Sequence, residues 1–359
     1  MPLDVRDFAD LPPGEKAASR RSRRLVALWL FGVAGMILVM VVLGGVTRLT
    51  GSGLSIMEWA PLSGILPPLN QADWQKLFKL YQQIPQYALV NAGFGLAGFK
   101  QIFWLEWIHR IWGRLIGLAF LGPLVWLWAT GRIERRLWPR LALLFVLGGL
   151  QGAVGWFMVA SGFLPDTTSV SPYRLVIHLL LALVLYAAIV WTGLDLVRPT
   201  PVKLAGARAM RRLTALCCAL VALTIVTGGF VAGTHAGLDY NTFPLMSGDL
   251  VPDGYARLSP LLLNLTENIA AVQFDHRLLA TLTAAVGAAV VVIGVAIPRL
   301  RPVRGMILTL GAMAALQYAL GVATLLLVTP VGLAAAHQAT AVLLLTAALT
   351  TLHALRGAA

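Results

Sequence analysis

Apolar residues in this chain come in long unbroken runs rather than at the spacing of a half-buried helix or strand. Eight stretches, at 25–46, 102–129, 141–160, 175–194, 213–232, 278–297, 305–328 and 331–352, carry almost no charge. About 20 helical residues cross a bilayer, and each stretch is long enough. Backbone N–H and C=O groups in hydrocarbon must find partners within the segment, so the runs predict helices, not open strands. The first is too long and too poorly cleavable for a signal peptide and is expected to remain as a span. The pattern predicts an all-α integral membrane protein with eight transmembrane helices.

Composition agrees with the pattern. Of 359 residues, 58% are hydrophobic and 12% charged, with mean hydropathy +0.79. Soluble domains carry roughly 25% charged residues. Soluble, disordered, collagen-like and disulfide-scaffold classes are all excluded. The two cysteines, Cys217 and Cys218, are adjacent within an apolar run, so no structural disulfide is expected.

A net charge of +13 raises nucleic acid as a partner, but the placement of the charges excludes it. Most basic residues fall on one side: Arg6, Lys16, Arg20, Arg21, Arg23 and Arg24 before the first run; Arg132, Arg135, Arg136 and Arg140 after the second. Arg198, Lys203, Arg208, Arg211 and Arg212 follow the fourth, Arg299, Arg301 and Arg304 the sixth, and Arg356 the last. Lys and Arg mark the cytoplasmic side, so both termini are expected there and the bilayer is the partner that the charge reads. The opposite connections carry Arg48, Lys76, Lys79, Lys100 and Arg257. Asp4, Asp7, Asp10 and Glu15 make the N-terminal segment unlike an acid-poor organellar transit peptide, which points to a bacterial inner membrane.

The chain reads as two copies of one four-helix unit. Gly44-Gly45-Val-Thr-Arg-Leu-Thr-Gly-Ser-Gly53-Leu54 ends the first run, and Gly228-Gly229-Phe-Val-Ala-Gly-Thr-His-Ala-Gly237-Leu238 ends the fifth, 184 residues on. Ser63-Gly64 maps onto Ser247-Gly248, His109-Arg110 onto His276-Arg277, Gln151 with Gly155 onto Gln317 with Gly321, and His178 onto His337. An even number of spans per unit inserts both copies the same way up, as parallel repeats. The expected division is a cytoplasmic tail at 1–24, an N-terminal four-helix bundle at 25–194, a cytoplasmic linker at 195–212 and a C-terminal bundle at 213–359. The long extracytoplasmic connections, 47–101 and 233–271, are expected to cap the bundles, with a short interfacial helix at 73–81.

Four of the six histidines, His109, His178, His276 and His337, lie near the extracytoplasmic ends of even-numbered spans. At 1.5 Å per residue they share a depth of about 10 Å. A single buried histidine is more often a satisfied core residue, but two per repeat on helices that can face each other build a cofactor site. Ionisable groups within a membrane are functional by default. Zinc wants three or four protein ligands. Two imidazoles above and below a planar macrocycle suit haem, which supplies four equatorial nitrogens. Arg110, Arg277 and Arg114 are candidates for the haem propionates; the competing reading pairs them with Glu106 or Asp275, or sends them outward.

The copies differ where chemistry is concerned. Glu106, three residues before His109 and on the same helix face, has Gln273 as its counterpart. A carboxylate beside one site alone suits proton handling or charge stabilisation during oxidation. The plainer alternative is a structural Glu106–Arg pair. On the first reading the first copy is the reaction site and the second an electron-transfer haem.

Phe99-Lys-Gln-Ile-Phe-Trp-Leu-Glu106-Trp-Ile-His109-Arg110-Ile-Trp-Gly-Arg114, with Gly44-Gly-Val-Thr-Arg-Leu-Thr-Gly-Ser-Gly53-Leu-Ser-Ile-Met-Glu-Trp59, resembles the haem A synthase family over essentially all eight spans. The resemblance implies oxidation of a ring methyl of haem O to a formyl group, giving haem A for terminal oxidases. It implies that His276 and His337 ligate haem b, that His109 and His178 flank the substrate haem, and that Glu106 is essential. Some members carry a cysteine pair in the first outer loop; no cysteine lies at 47–101, so the chain resembles the cysteine-free proteobacterial and mitochondrial branch. The expected reaction is successive hydroxylation, the gem-diol losing water to the aldehyde. A dihaem b-type electron-transfer protein is the alternative, and a transporter a third reading. Contact with the farnesylating enzyme that makes haem O and with an electron carrier is expected; homo-oligomerisation is left open.

Overall fold

The computed structural model describes residues 13–61, 63–201, 204 and 206–357. Asp4, Arg6, Asp7, Asp10 and Lys203, used above, lie outside the described residues. Among those described, the helices are α1 (Pro13–Leu49), α2 (Gln71–Tyr81), α3 (Pro85–Leu89), α4 (Leu96–Ala129), α5 (Trp138–Val159), α6 (Pro172–Val197), α7 (Arg208–Gly233), α8 (Ile269–Ala296), α9 (Arg304–Leu326) and α10 (Val331–Ala354). No β-ladder longer than the isolated bridge Met246–Asp249 occurs among them. The eight helices other than α2 and α3 are long and apolar enough to cross a membrane.

Three helices begin six or more residues earlier than hydropathy predicts, and polar residues explain the shift. Hydropathy starts the sixth span at 278, whereas α8 starts at Ile269, with Asn268 accepting the Ala270 N–H as its cap. The intervening Gln273, Asp275, His276 and Arg277 depress any hydropathy average, yet Gln273, Asp275 and Arg277 find partners in the outer loop. His276 therefore stands two turns inside its helix. In the same way α4 starts at Leu96 rather than 102, and α1 reaches back to Pro13 through the arginine-rich segment, whose residues favour helix. The interfacial helix expected at 73–81 is α2, capped by the Asn70 side chain on Asp73 N.

Helices α1, α6, α7 and α10 meet at the centre; α4 packs on α1, α5 chiefly on α6, α8 on α7, and α9 between α8 and α10. Their shared interior is apolar, with Leu30, Leu183, Ile189, Val221, Leu345 and Ala348 buried. Outward positions stay apolar too: Leu118, Val146 and Val292 are each more than 60% exposed, which water disfavours and lipid accepts. Three polar contacts stitch the centre: Gln338 Nε2 donates to Val41 O at 3.0 Å, the hydroxyls of Tyr186 and Thr346 share a bond of 2.7 Å, and His353 Nε2 meets Asp195 Oδ1 at 2.9 Å. Cys217 and Cys218 are free thiols on α7.

The connection between α1 and α4 folds onto α4 through its own aromatic cluster, in which Trp74, Tyr81, Phe99 and Phe103 are buried together. Loss of water from Tyr81 raises its phenol above the usual range. Where α1 and α7 end, Gly51 and its repeat counterpart His235 both hold positive φ, +65° and +60°. Such a conformation is cheap for glycine and costly for histidine. Burial and the nearby Arg48 hold the His235 imidazole below the ordinary histidine range.

Close helix contacts depend on residues without side chains. A Cβ at Gly233 meets Pro172 Cα at 2.8 Å, a backbone atom that cannot swing aside, whereas a Cβ at Gly149 meets nothing within 4 Å. Gly233→Ala is therefore expected to cost about 1–3 kcal/mol of overpacking and lower the thermal midpoint in detergent. Gly149→Ala should leave the midpoint unchanged or raise it; equal midpoints for the two variants contradict this packing.

Candidate functional site

Four rings occupy four matching seats. His109 on α4 rests on Gly44 of α1, His178 on α6 on Gly155 of α5, His276 on α8 on Gly228 of α7, and His337 on α10 on Gly321 of α9. A Cβ at those glycines meets the ring Cε1 at 3.1, 2.8, 3.0 and 2.9 Å. Each even-numbered span thus lays its imidazole on the backbone of the span before it. His178 is near enough to His109, and His337 to His276, for each pair to interact electrostatically. The two rings of each half thus lie near one another. All four rings are only partly buried although they stand within the spans.

Neighbouring polar groups orient three of the rings. Thr227 Oγ1 donates to Thr224 O at 3.0 Å and lies 3.1 Å from His276 Nδ1. With its proton spent, the hydroxyl oxygen accepts from Nδ1–H, which leaves the Nε2 lone pair available to a metal. The Gln151 amide lies 3.1 Å from His178 Nδ1 and donates to His178 O at 2.9 Å; the Gln317 amide lies 3.1 Å from His337 Nδ1. Both amide oxygens are buried and unpaired. A half-turn of the Gln317 amide, which exchanges its two ends, sets oxygen against Nδ1–H. His109 is different: its Nδ1 is buried without a partner among the described residues. Leaving such a nitrogen unpaired costs about 1–3 kcal/mol.

Glu106 is buried and fully engaged. Its Oε2 accepts from Ser55 Oγ at 2.7 Å and Ile56 N at 2.9 Å, and its Oε1 from Arg110 Nε at 3.0 Å and Nη2 at 2.6 Å. Arg110 also donates to Ile56 O and Glu58 O. Gln273 holds the corresponding segment with a neutral side chain and opposite bond polarity on the loop side. It donates to Ala236 O and Asp239 O and accepts from Arg277, which in turn donates to Tyr240 O and Thr242 O. In both halves a polar pair on an even-numbered span ties down the chain that leaves the span before it.

Arg114 donates to Pro61 O and Ala60 O, each at 2.9 Å. All three candidate arginines thus spend donors on loop carbonyls, and Arg110 pairs with Glu106 as the alternative reading expected. Arg277 has Gln273 and not Asp275 for a side-chain partner, and its buried Nε is unpaired. Asp275 accepts from the Tyr255 hydroxyl at 2.8 Å, a bond that raises that phenol above its ordinary range. Arg110 also lies over Trp156, which stacks on Trp59. At the opposite ends of the spans, His353 is enclosed by Asp195, Arg356 and Trp191 and takes no part in this site.

The donor set decides what the paired rings fit. Among the described residues no group of three or more His, Cys, Asp or Glu is placed to hold a metal ion. Two imidazoles per half, seated where a Cβ does not fit, are too few for zinc; they match an iron whose other four ligands come from a macrocycle.

A family model described as "Cytochrome oxidase assembly protein" matches residues 27–349. A protein of Granulibacter bethesdensis named "Heme A synthase" is 62% identical over 339 residues, covering 94% of this chain and 89% of its own. "Heme A synthase 2" of Acidiphilium cryptum is 47% identical over 348 residues, 95% and 94% of the two chains, and "Heme A synthase" of Rhodospirillum centenum 47% over 350, 96% and 92%. The chain belongs to the haem A synthase family. Within it, the sequence pattern marks the four rings, Glu106 and the arginines, but not the groups that hold them. Gln151 with Gly155, and Gln317 with Gly321, recur four residues apart on one helix face. That spacing identifies them as repeat marks, and only the packing turns them into a ring's orienter and seat.

The cage makes a stability prediction. Glu106→Leu strips partners from Arg110 and the Ile56 amide, and breaking a buried pair from one side costs about 3–5 kcal/mol. Glu106→Gln sets an NH2 group against partners that themselves donate, so it should fall between wild type and Leu, at a cost of about 1–3 kcal/mol. Thermal midpoints in detergent test both; a Gln variant as stable as the wild type contradicts a cage built of donors alone.

Proposed function

We propose that the chain oxidises a ring methyl group of haem O to a formyl group, so producing haem A. It is an oxidoreductase of haem A biosynthesis and a multi-pass membrane protein. The observation that carries this reading is the pairing of seated imidazoles in both halves, joined to a carboxylate cage in one half alone. In the first half, at 25–194, His109 and His178 flank the substrate haem. In the second, at 213–359, His276 and His337 hold a resident haem b. The linker at 195–212 and the tail at 1–24 face the cytoplasm with both termini, and the sites face the outer side of a bacterial inner membrane. The repeat correspondences and the basic residues support that arrangement.

The resident haem supplies one-electron redox chemistry. The chain's own residues do the rest. Gly44 and Gly155 set the depth of the first pair of rings, and Gln151 orients His178. Glu106 places a negative group one turn from His109, where it offsets positive charge developing as electrons leave the methyl carbon. Its bonds from Ser55, Ile56 and Arg110 hold it in that place before the substrate arrives. Net, the methyl takes up one oxygen atom at the level of water and gives up four protons and four electrons, the electrons passing to the electron carrier; two hydroxylations give a gem-diol, which loses water to the aldehyde. The unpaired Nε of Arg277 is a donor suited to a propionate; Arg110 and Arg114 fix the first outer loop as the floor of the substrate site. Contact with the farnesylating enzyme that makes haem O, and with an electron carrier, belongs to the same proposal. The electron-transfer alternative leaves the Glu106/Gln273 difference without a use and is not favoured.

Expression beside a supply of haem O, followed by pigment extraction and mass analysis, is expected to yield haem A. Glu106→Gln should keep its bound pigment and lose about 100-fold or more of the formyl product. Unchanged turnover in that variant reduces Glu106 to a brace, and a purified protein free of haem removes the reading altogether.

A further inference from the structure

The rings of His109 and His276 adopt the same pose, yet only one is anchored. Against Gly44 and Gly228 respectively, each presents Cε1 at 3.1 and 3.0 Å and Nδ1 at 3.6 Å to the position of a Cβ. The residue before the glycine is what differs. Thr227 supplies the hydroxyl that accepts from His276 Nδ1–H; its counterpart, 184 residues earlier, is Leu43, which has no polar atom to offer. His109 Nδ1 is accordingly buried and unpaired. His178 and His337, the second ring of each half, both have a glutamine amide at Nδ1.

We infer that Leu43 makes His109 the releasable ligand of the chain, so that the first half exchanges its haem while Thr227 locks the second half around a resident one. This rests on the proposed function, and the physical argument runs through the tautomer. A neutral imidazole carries one proton, and iron needs the Nε2 lone pair, so the proton must sit on Nδ1. In the second half, the Thr227 oxygen stabilises that tautomer before any metal arrives. In the first half, nothing accepts from Nδ1, and each ligation has to bury an unpaired N–H. The bond to iron is weakened by whatever that N–H loses, and the ring is free to turn on its seat. Loss of an outer partner of this kind lowers metal affinity about 10–100-fold. A site that must admit a substrate haem and discharge a product haem benefits from one loose ligand facing one firm ligand. His109 is the loose member; His178 opposite becomes the firm one once the Gln151 amide turns its unpaired oxygen to Nδ1–H, giving up its bond to His178 O.

The test uses the full chain, purified with haem in both halves, and two readouts besides turnover. Excess apomyoglobin scavenges released haem, and carbon monoxide added to the reduced protein counts irons that can shed a histidine. The wild type should lose haem in a fast and a slow phase and bind about one carbon monoxide per chain. Leu43→Thr should slow the fast phase about 10–100-fold and suppress carbon monoxide binding. Thr227→Leu should accelerate the slow phase and add a second reactive iron, so either variant alone reads the effect. Haem present in both halves with neither phase moved beyond about threefold overturns this inference and leaves the proposed function standing. A chain that holds no haem at the histidines overturns both.

Discussion

An imidazole laid on a neighbouring helix backbone is the contact around which this molecule is arranged. Lipid offers no partner to a polar ring, so a histidine within a span needs a helix beside it that both makes room and supplies hydrogen bonds. Glycine makes the room at Gly44, Gly155, Gly228 and Gly321. The glycine that follows in two of these places serves a second contact: a Cβ at Gly45 runs into Gln338, the residue after His337, and one at Gly229 meets Leu179, the residue after His178. Each Gly-Gly pair therefore seats a ring on one side and admits the helix carrying another ring on the other. Seating of two of the rings and packing of the central helices are thus set by the two Gly-Gly pairs.

The outer loops follow from the same scarcity of partners. Arg110 and Arg277 stand on spans where a free guanidinium has little water, and they solve this by binding the carbonyls of the chain leaving the previous helix. Loop order is thus tied to the depth of the helices, and the polar residues that delay the hydropathy signal of α8 are the ones that fasten its cap. Two departures from the repeat then stand out against an otherwise shared frame. Glu106 replaces a neutral amide by a carboxylate, and Leu43 removes a hydroxyl; both concern the surroundings of His109. On the proposed function, these two differences beside His109 are what let one half act on a substrate while the other retains a cofactor.

The far ends of the spans are held by a separate device. Asp195 on α6 takes His353 of α10 and Arg140 of α5, and Arg356 closes on His353 from the other side. Charged groups there satisfy one another at the junction of the central helices, leaving the ring-bearing ends to be shaped by glycine and threonine.

Much of this could be read from the chain. Uniform apolar runs determine eight helices because hydrocarbon permits no other backbone, and the recurrence of His, Arg, Gly and Gln at matched offsets exposes two units and four rings. Glu106 against Gln273 is visible as a difference of letters. What the letters leave open is which atoms meet. That Arg110 and Arg277 bind equivalent loop carbonyls, that Gln317 faces His337, and that Leu43 leaves His109 without an acceptor depend on contacts between residues up to tens of positions apart. Helix ends moved for the same reason: hydropathy weighs each residue alone, whereas a polar residue enters a span once another part of the chain satisfies it. Burial in lipid is a property of composition and is written locally; hydrogen-bond satisfaction is a property of pairs, and only the packed helices decide it.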